Sequence, residues 1–374
     1  IGSDAIASGA QSLAVGNNIQ ATHLGATAVG NNSRATADGA QAFGQSSQAT
    51  AKDAAAVGRY ARAQGERASA FGVGNLASGA SAVSVGDSSQ ATSAGSIAIG
   101  SPYTENGVTY ASKAWSDNAI AIGSGAEAGL DKNAPTNTNA GKTGAIAIGT
   151  KALAYEVSAV AMGEKSGAFG VNSLALGANA TSNNNSGVAI GDSATSNAVN
   201  ALAIGTNTKA EHTSAVAIGD GAHANNAAYA SVALGNNAKT QASQSLAAGF
   251  GAEVTVSDAV ALGSSAVANR AALTPSAATS SSASAAANTV YASDAATAAD
   301  KAAISATVKG ALGAVSVGSG TATRQIINVA AGSENTDAVN VAQLKAVAAK
   351  TETTPLLVAD GTGIGTGTVA ANAE

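Results

Sequence analysis

Few side chains in this sequence are of kinds that make or break bonds, and their spacing argues against that use. The three histidines, His23, His212 and His223, share no metal-ligand or catalytic spacing and read as solvated turn residues. No cysteine is present, which removes thiolate nucleophiles, thiolate metal sites and disulfides. Gly141-Lys142-Thr143 matches the end of a phosphate-binding loop, but Thr136 stands where that loop needs its first glycine. Serine is abundant, yet no Gly-x-Ser-x-Gly elbow stands with a histidine and an acid. The reading is non-enzymatic, with no cofactor and no metal. Two groups have recognition chemistry instead. Arg59, Tyr60, Arg62 and Arg67 fall together beside Lys52 in a chain of formal charge -5, a place for an anionic glycan or an acidic protein patch. Salt bridges between chains would use the same residues. Tyr103, Tyr110 and Trp115, the single Trp, either form an adhesive surface or pack their segment onto the body of the molecule.

The elements that must position these residues are announced by glycine. Gly2, Gly16, Gly30, Gly44, Gly58, Gly72, Gly86 and Gly100 are each fourteen apart, and the beat resumes from Gly149 to Gly219 and from Gly235 to Gly263. A fixed period of this kind marks a solenoid. Two residues before the glycine stands Ala (Ala14, Ala28, Ala42), and one and three before it stand larger aliphatics in most repeats. Alternation with period two is a strand with unlike faces. Fourteen residues suffice for two strands of about five and two tight turns. So flat a coil has room inside for Ala and Gly only, so the aliphatics must point outward. Stacked, they form an apolar stripe: Ile97, Ile99, Ile120, Ile122, Ile146, Ile148, Val160, Leu174, Leu176, Val188 and Ile190. Such a stripe exceeds what a soluble monomer leaves exposed and should drive self-association along the rod. The residue after the glycine is commonly Asn, Asp, Ser or Thr, as a tight turn requires. A second strand around Ala21, Ala35 and Ala49 is more polar and should face solvent.

Composition agrees with a narrow core. Hydrophobic residues are 45% of the 374, but aromatics are only 3% and charged residues 11%, against ~25% charged in ordinary soluble domains. The acidic balance supplies no field for nucleic acid. No run is long and apolar enough for a membrane helix, and no signal peptide opens the sequence. Export and anchoring signals are therefore expected outside it.

Insertions at about 101–118 and 124–144 interrupt residues 1–263. Segment 264–313 is Ser/Ala-rich, with Asp294 expected to cap a short Ala-rich helix over 295–309. Ala314-Val315-Ser316-Val317-Gly318 reads as one more coil. It is followed by Arg324-Gln325-Ile326-Ile327-Asn328-Val329 and a helix start at Thr336-Asp337, with Val341 and Leu344 at coiled-coil spacing. The Gly/Thr-rich 351–374 is unassigned.

These residues resemble the trimeric autotransporter adhesins, with a YadA-like head followed by a neck. Ser96-Ile97-Ala98-Ile99-Gly100-Ser101, Ala119-Ile120-Ala121-Ile122-Gly123-Ser124 and Ser173-Leu174-Ala175-Leu176-Gly177 match the head motif, and Arg324 to Lys345 match the neck. The resemblance implies an all-β solenoid, a left-handed parallel β-roll of 14-residue coils packed side by side as a homotrimer, followed by a neck over 314–350 and the start of a coiled-coil helix. It implies a bacterial outer-membrane protein, exposed at the cell surface through a C-terminal anchor that this sequence lacks. Its expected partners are host extracellular matrix proteins or cell-surface receptors. It makes Arg324, Gln325, Asn328 and Asp337 hydrogen-bonding groups between subunits, with Ile326, Val329, Val341 and Leu344 beside them. Alternatives remain: an ice-binding solenoid, from the column Thr22, Thr36, Thr50 and Thr92; a purely structural spacer; a polysaccharide-active β-helix, for which the coil is too narrow; and a disordered low-complexity chain, opposed by the steady aliphatic register.

Overall fold

The computed structural model describes residues 1–129, 143–225, 227–273, 296–310, 312–352, 356–359 and 364–367. Each repeat forms one coil with two strands, and every strand pairs in parallel with its equivalent in the next coil. Ala14 pairs with Ala28 in the first sheet and Ala21 with Ala35 in the second. Among the described residues, eighteen strands stack in each sheet. The solenoid expected from the glycine period forms, its strands parallel as the resemblance implied, and the interior is mostly alanine with buried Ser and Thr such as Ser33, Ser47 and Thr208. Ala28, Ala42, Ala56, Ala98, Ala121 and Ala147 are fully buried from the first strands, and Ala21, Ala35, Ala49 and Ala63 from the second.

The strands are shorter than the expected five residues. A typical first strand has three, as in Thr27–Val29, and a typical second strand has two, as in Arg34–Ala35. The corners take the remainder. Asn18, Gly25, Asn32 and Gly39 have φ of 51°, 66°, 58° and 68°, so a left-handed residue recurs every seven positions. The coil is two seven-residue halves. The left-handed residue is the second after the repeat glycine, where the sequence pattern had placed the turn signal on the first.

The repeat glycine has its own constraint. Gly191 has φ of 129°, a conformation that essentially only glycine adopts, and a Cβ there would lie 2.5 Å from the carbonyl oxygen of Gly205 in the next coil. The glycine column is thus a line of backbone-on-backbone contact down the rod.

Two compact units divide the chain, one of Ile1–Ala271 with Leu312–Thr321, the other of Ala272–Ala311 with Ala322–Glu374. In the first, Val315 and Ser316 pair with Val260 and Ala261, so the chain re-enters the solenoid for a last rung after a long excursion. In the second, α1 (Ala298–Ala306) is capped by Thr297 through a reciprocal capping box with Asp300. That corrects the expected cap; Asp294 lies outside the described residues. The neck helix, α2 (Val341–Glu352), begins later than Thr336. Asn340 caps it, its side chain accepting from the Gln343 amide at 3.1 Å while the Gln343 side chain accepts from the Asn340 amide at 3.2 Å. Leu356–Ala359 and Ile364–Gly367, in the unassigned tail, pair as an antiparallel hairpin.

Candidate functional site

The first sheet presents outward the residues one and three before each glycine. Within one chain they stay partly uncovered: Phe71, Ile99, Leu176 and Leu234 are 42%, 36%, 41% and 46% exposed. Ile97, Ile120, Ile122, Ile146, Ile148, Val160, Leu174, Val188 and Ile190 occupy the same outward columns, half-buried by their neighbours along the stack. The period-two alternation therefore has its structural cause: alanine in, aliphatic out, continuous along the sheet.

The expected insertion at 101–118 resolves into a hairpin followed by resumed coil. Tyr103–Glu105 pairs antiparallel with Val108–Tyr110 around Asn106 and Gly107, whose φ values of 51° and 77° suit a two-residue hairpin turn. Tyr103 and Tyr110 are directly opposite and lie over Lys151, whose ammonium is 5.4 Å and 4.6 Å from their ring centroids. Lys151 also makes a close ion pair with Glu105, and Lys165 adds a second at 3.5 Å. The Lys151 hydrogen bond is the main influence holding the Glu105 carboxyl below its usual range, and the same bond raises Lys151. Ser124 donates to the carbonyls of Ser101 and Pro102, and a Cβ on Gly125 would meet both tyrosine Cβ atoms at 3.0 and 3.2 Å. The tyrosines thus pack the insertion onto the rod. Glu105, Lys151 and Lys165 escaped the sequence reading, although Asn106-Gly107 between alternating Tyr-Thr runs was a legible hairpin signal.

Trp115 is not part of the inserted segment. Lys113–Ala114 has already rejoined the second sheet by pairing with Gln90–Ala91, so Trp115 stands in the column of Thr22 and Thr50. That column continues through Gly129, Tyr155 and Phe169, where threonine had led. Glu127–Ala128 is likewise regular second strand, so the extra residues of the next insertion fall after Gly129 in the sequence rather than from Ser124; residues 130–142, including Gly141 and Lys142, lie outside the described residues. Around this point the polar face turns aromatic. The Lys113 ammonium sits 5.3 Å from the Trp115 ring, and Tyr155 meets Phe169 at 5.2 Å. The Phe169 ring lies where a side chain on Gly167 would otherwise be. Burial pushes the Glu127 carboxyl up despite Lys113 at 3.6 Å, and pushes the Tyr155 hydroxyl well above its ordinary value, aided by Glu127.

The basic group is split by the fold. Arg59 and Tyr60 form one corner of their coil, Arg62 stands on the second strand, and Arg67 occupies the opposite corner, next to the Lys52 level. Seven residues between corners is half a turn, which separates residues close in sequence. Arg59 stacks on Tyr60 at 5.4 Å, and Arg67 pairs at the exposed surface with Glu66 at 2.8 Å. The histidines are dispersed: His23 touches Thr22 at 2.9 Å, His212 meets Tyr229 edge-on at 5.8 Å, and His223 lies 3.1 Å from Glu211.

In the neck, Asp337 is engaged within its own chain, accepting from the amides of Ser333 and Glu334 at 2.9 and 3.1 Å, which hold its carboxyl below the usual range. Asn328 adopts φ of 60°, and Val329 offers its carbonyl to Asn340 at 3.2 Å. Arg324 and Gln325 are exposed, as are Ile326, Val341 and Leu344, which are 70%, 66% and 63% uncovered.

A parallel solenoid of alanine-cored coils with outward aliphatic columns, followed along the chain by a short capped helix, defines the class of a YadA-type head with a stalk. The chain matches the YadA head domain repeat over 1–18, 21–101, 110–126, 140–222 and 228–252, and the coiled stalk of trimeric autotransporter adhesin over 325–363. It belongs to the trimeric autotransporter adhesin family. Over 75 residues it is 49% identical to the trimeric autotransporter adhesin AtaA of Acinetobacter sp. (strain Tol 5), a match spanning 20% of this chain and 2% of that much longer protein. The solved collagen-binding domain of the Yersinia adhesin YadA aligns with 67% of this chain and 97% of its own length, at 24% identity and a TM-score of 0.31.

Proposed function

We propose that this chain is the head and upper stalk of a homotrimeric adhesin held at the bacterial cell surface, and that it binds host extracellular matrix proteins or cell-surface receptors. The observation that carries the reading is the outward aliphatic face of the first sheet, half-exposed in one chain over rung after rung. Covering the exposed part of each such side chain gains less than half of the roughly 1.5–3 kcal/mol that a full burial is worth, summed over many rungs. Sister chains in the same register cover it everywhere at once, which a short-lived partner does not. The exposed Ile326, Val341 and Leu344 suit the same threefold contact in the neck. Binding then falls to the second sheet and the corners, and modest contacts repeated on three chains multiply through avidity. No deep pocket or bond-making group is called for. The test is sedimentation of the purified chain, followed by binding to a panel of matrix proteins with and without the 103–110 hairpin. A β-rich trimer that retains at least one matrix protein supports the reading. A stable monomer, or a trimer that binds nothing on the panel, ends it.

A further inference from the structure

Charge is sorted by face over the four coils that open at Gly16, Gly30, Gly44 and Gly58, after a first coil that carries Asp4 at the corner following Gly2. From Asn17 to Gln64 the corners that follow the repeat glycines and the outward positions of the second strands carry Arg34, Arg59 and Arg62 and no carboxylate. The acidic residues of the same coils, Asp38 and Asp53, stand at the opposite corners, and Glu66 follows them there beside Arg67. Arg34, Arg59 and Arg62 are exposed, and none has a carboxylate partner among the described residues. In a chain of net charge -5 this is an uncompensated cationic strip.

Its geometry is regular. Arg34 pairs with Gln48 and Gln48 with Arg62, so the two arginines are two coils apart on one column. At the usual spacing of neighbouring strands that is about 10 Å, close to the length of a disaccharide. Thr22, Thr36 and Thr50 form the parallel column alongside, one hydroxyl per coil. Both neighbours of every inner second strand are already paired, so this face has no free edge for an extended peptide to join, and it offers no apolar groove.

We propose that this strip binds a linear acidic polysaccharide. The chain would run along the stacking axis, with its carboxylates or sulfates on Arg34, Arg59 and Arg62 and its hydroxyls on the threonine column. Guanidinium groups suit the role because their planar fork grips carboxylate and sulfate through paired hydrogen bonds. The inference deepens the adhesin reading and rests on the first sheet, not the second, being the covered one.

The test uses the whole chain and immobilised heparin at low ionic strength, with sedimentation of the same samples. Wild type should be retained and should elute as salt rises. Arg34→Gln/Arg59→Gln/Arg62→Gln should bind at least about tenfold more weakly. Lys209→Gln/Lys239→Gln, on the same column but flanked by Glu211 and Glu253, should stay within about twofold of wild type. Absence of wild-type binding, an unaffected triple variant, or an equal loss in the lysine variant overturns the strip. Equal affinity for polyglutamate overturns the polysaccharide as its ligand. A trimer that ignores heparin leaves the self-association reading standing, whereas a monomer ends that reading and the heparin data still decide the strip.

Discussion

Single atoms decide whether this rod can stack. The repeat glycines combine a φ near 130° with a contact that a methyl group would violate, so both backbone strain and collision oppose replacement. Gly191→Ala should destabilise by more than ~1 kcal/mol, read as a lower denaturant midpoint. Gly251→Asn is the matched control: its φ of 59° is one Asn tolerates and nothing lies within 4 Å, so it should be close to neutral. Glu127 supplies a pH signature. Burial raises its folded-state pKa above the ordinary carboxylate range, so its contribution is fully present below that range and lost as pH rises through the folded pKa. Glu127→Gln should therefore gain in melting temperature relative to wild type as pH rises from weakly acidic to neutral. A constant difference across that window would contradict the assignment.

At the scale of elements, the 103–110 hairpin is too short to persist alone; two strands of three residues are marginal without support. Its support is Lys151, set at a left-handed corner (φ of 55°) where most coils carry Asn, Ser or Gly. Replacing it as Lys151→Met should speed amide exchange at Tyr103 and Tyr110, a hydrogen-bonded pair of the hairpin, by roughly fivefold through loss of a partly exposed ion pair and its aromatic contacts. The solenoid's own unfolding should hardly move, because the corner stays paired through its backbone to Ser124 at 3.0 Å. A hairpin that exchanges no faster would show that Lys151 does not hold it down.

For the whole molecule, the consequence is association. The outward columns of the first sheet contain no charge from Leu13 to Leu262, while the second sheet and corners carry the charges. Ile120→Asp with Ile146→Asp would bury carboxylates near one another and near their symmetry mates if three chains meet there. Such burial is far costlier than the lost aliphatic contact. The double variant should sediment as monomer or aggregate, with β content kept in the monomer, since both positions lie outside the alanine core. A double variant that remains a trimer would place the seam elsewhere.

Much of this architecture was legible because each coil repeats one solution. The glycine period, the alternation around Ala98 and Ala121, and the narrowness of a fourteen-residue turn together set a self-associating solenoid with alanine inside; its parallel roll came from the family resemblance. They also identified Ile97 and Ile99 as outward-facing. What the repeat does not encode is how separate coils and insertions meet. Lys151 joins Glu105 across 46 positions, and the half-turn between corners parts Arg59 from Arg67. Trp115 belongs to a strand, not to the insertion before it, because the hairpin closes on itself and returns the chain to register. The sequence by itself determined the period and the sidedness of each strand, since both follow from local sterics and residue volume. Only the tertiary structure decided which charges share a face and what clasps the hairpin, because those depend on distances between residues remote along the chain.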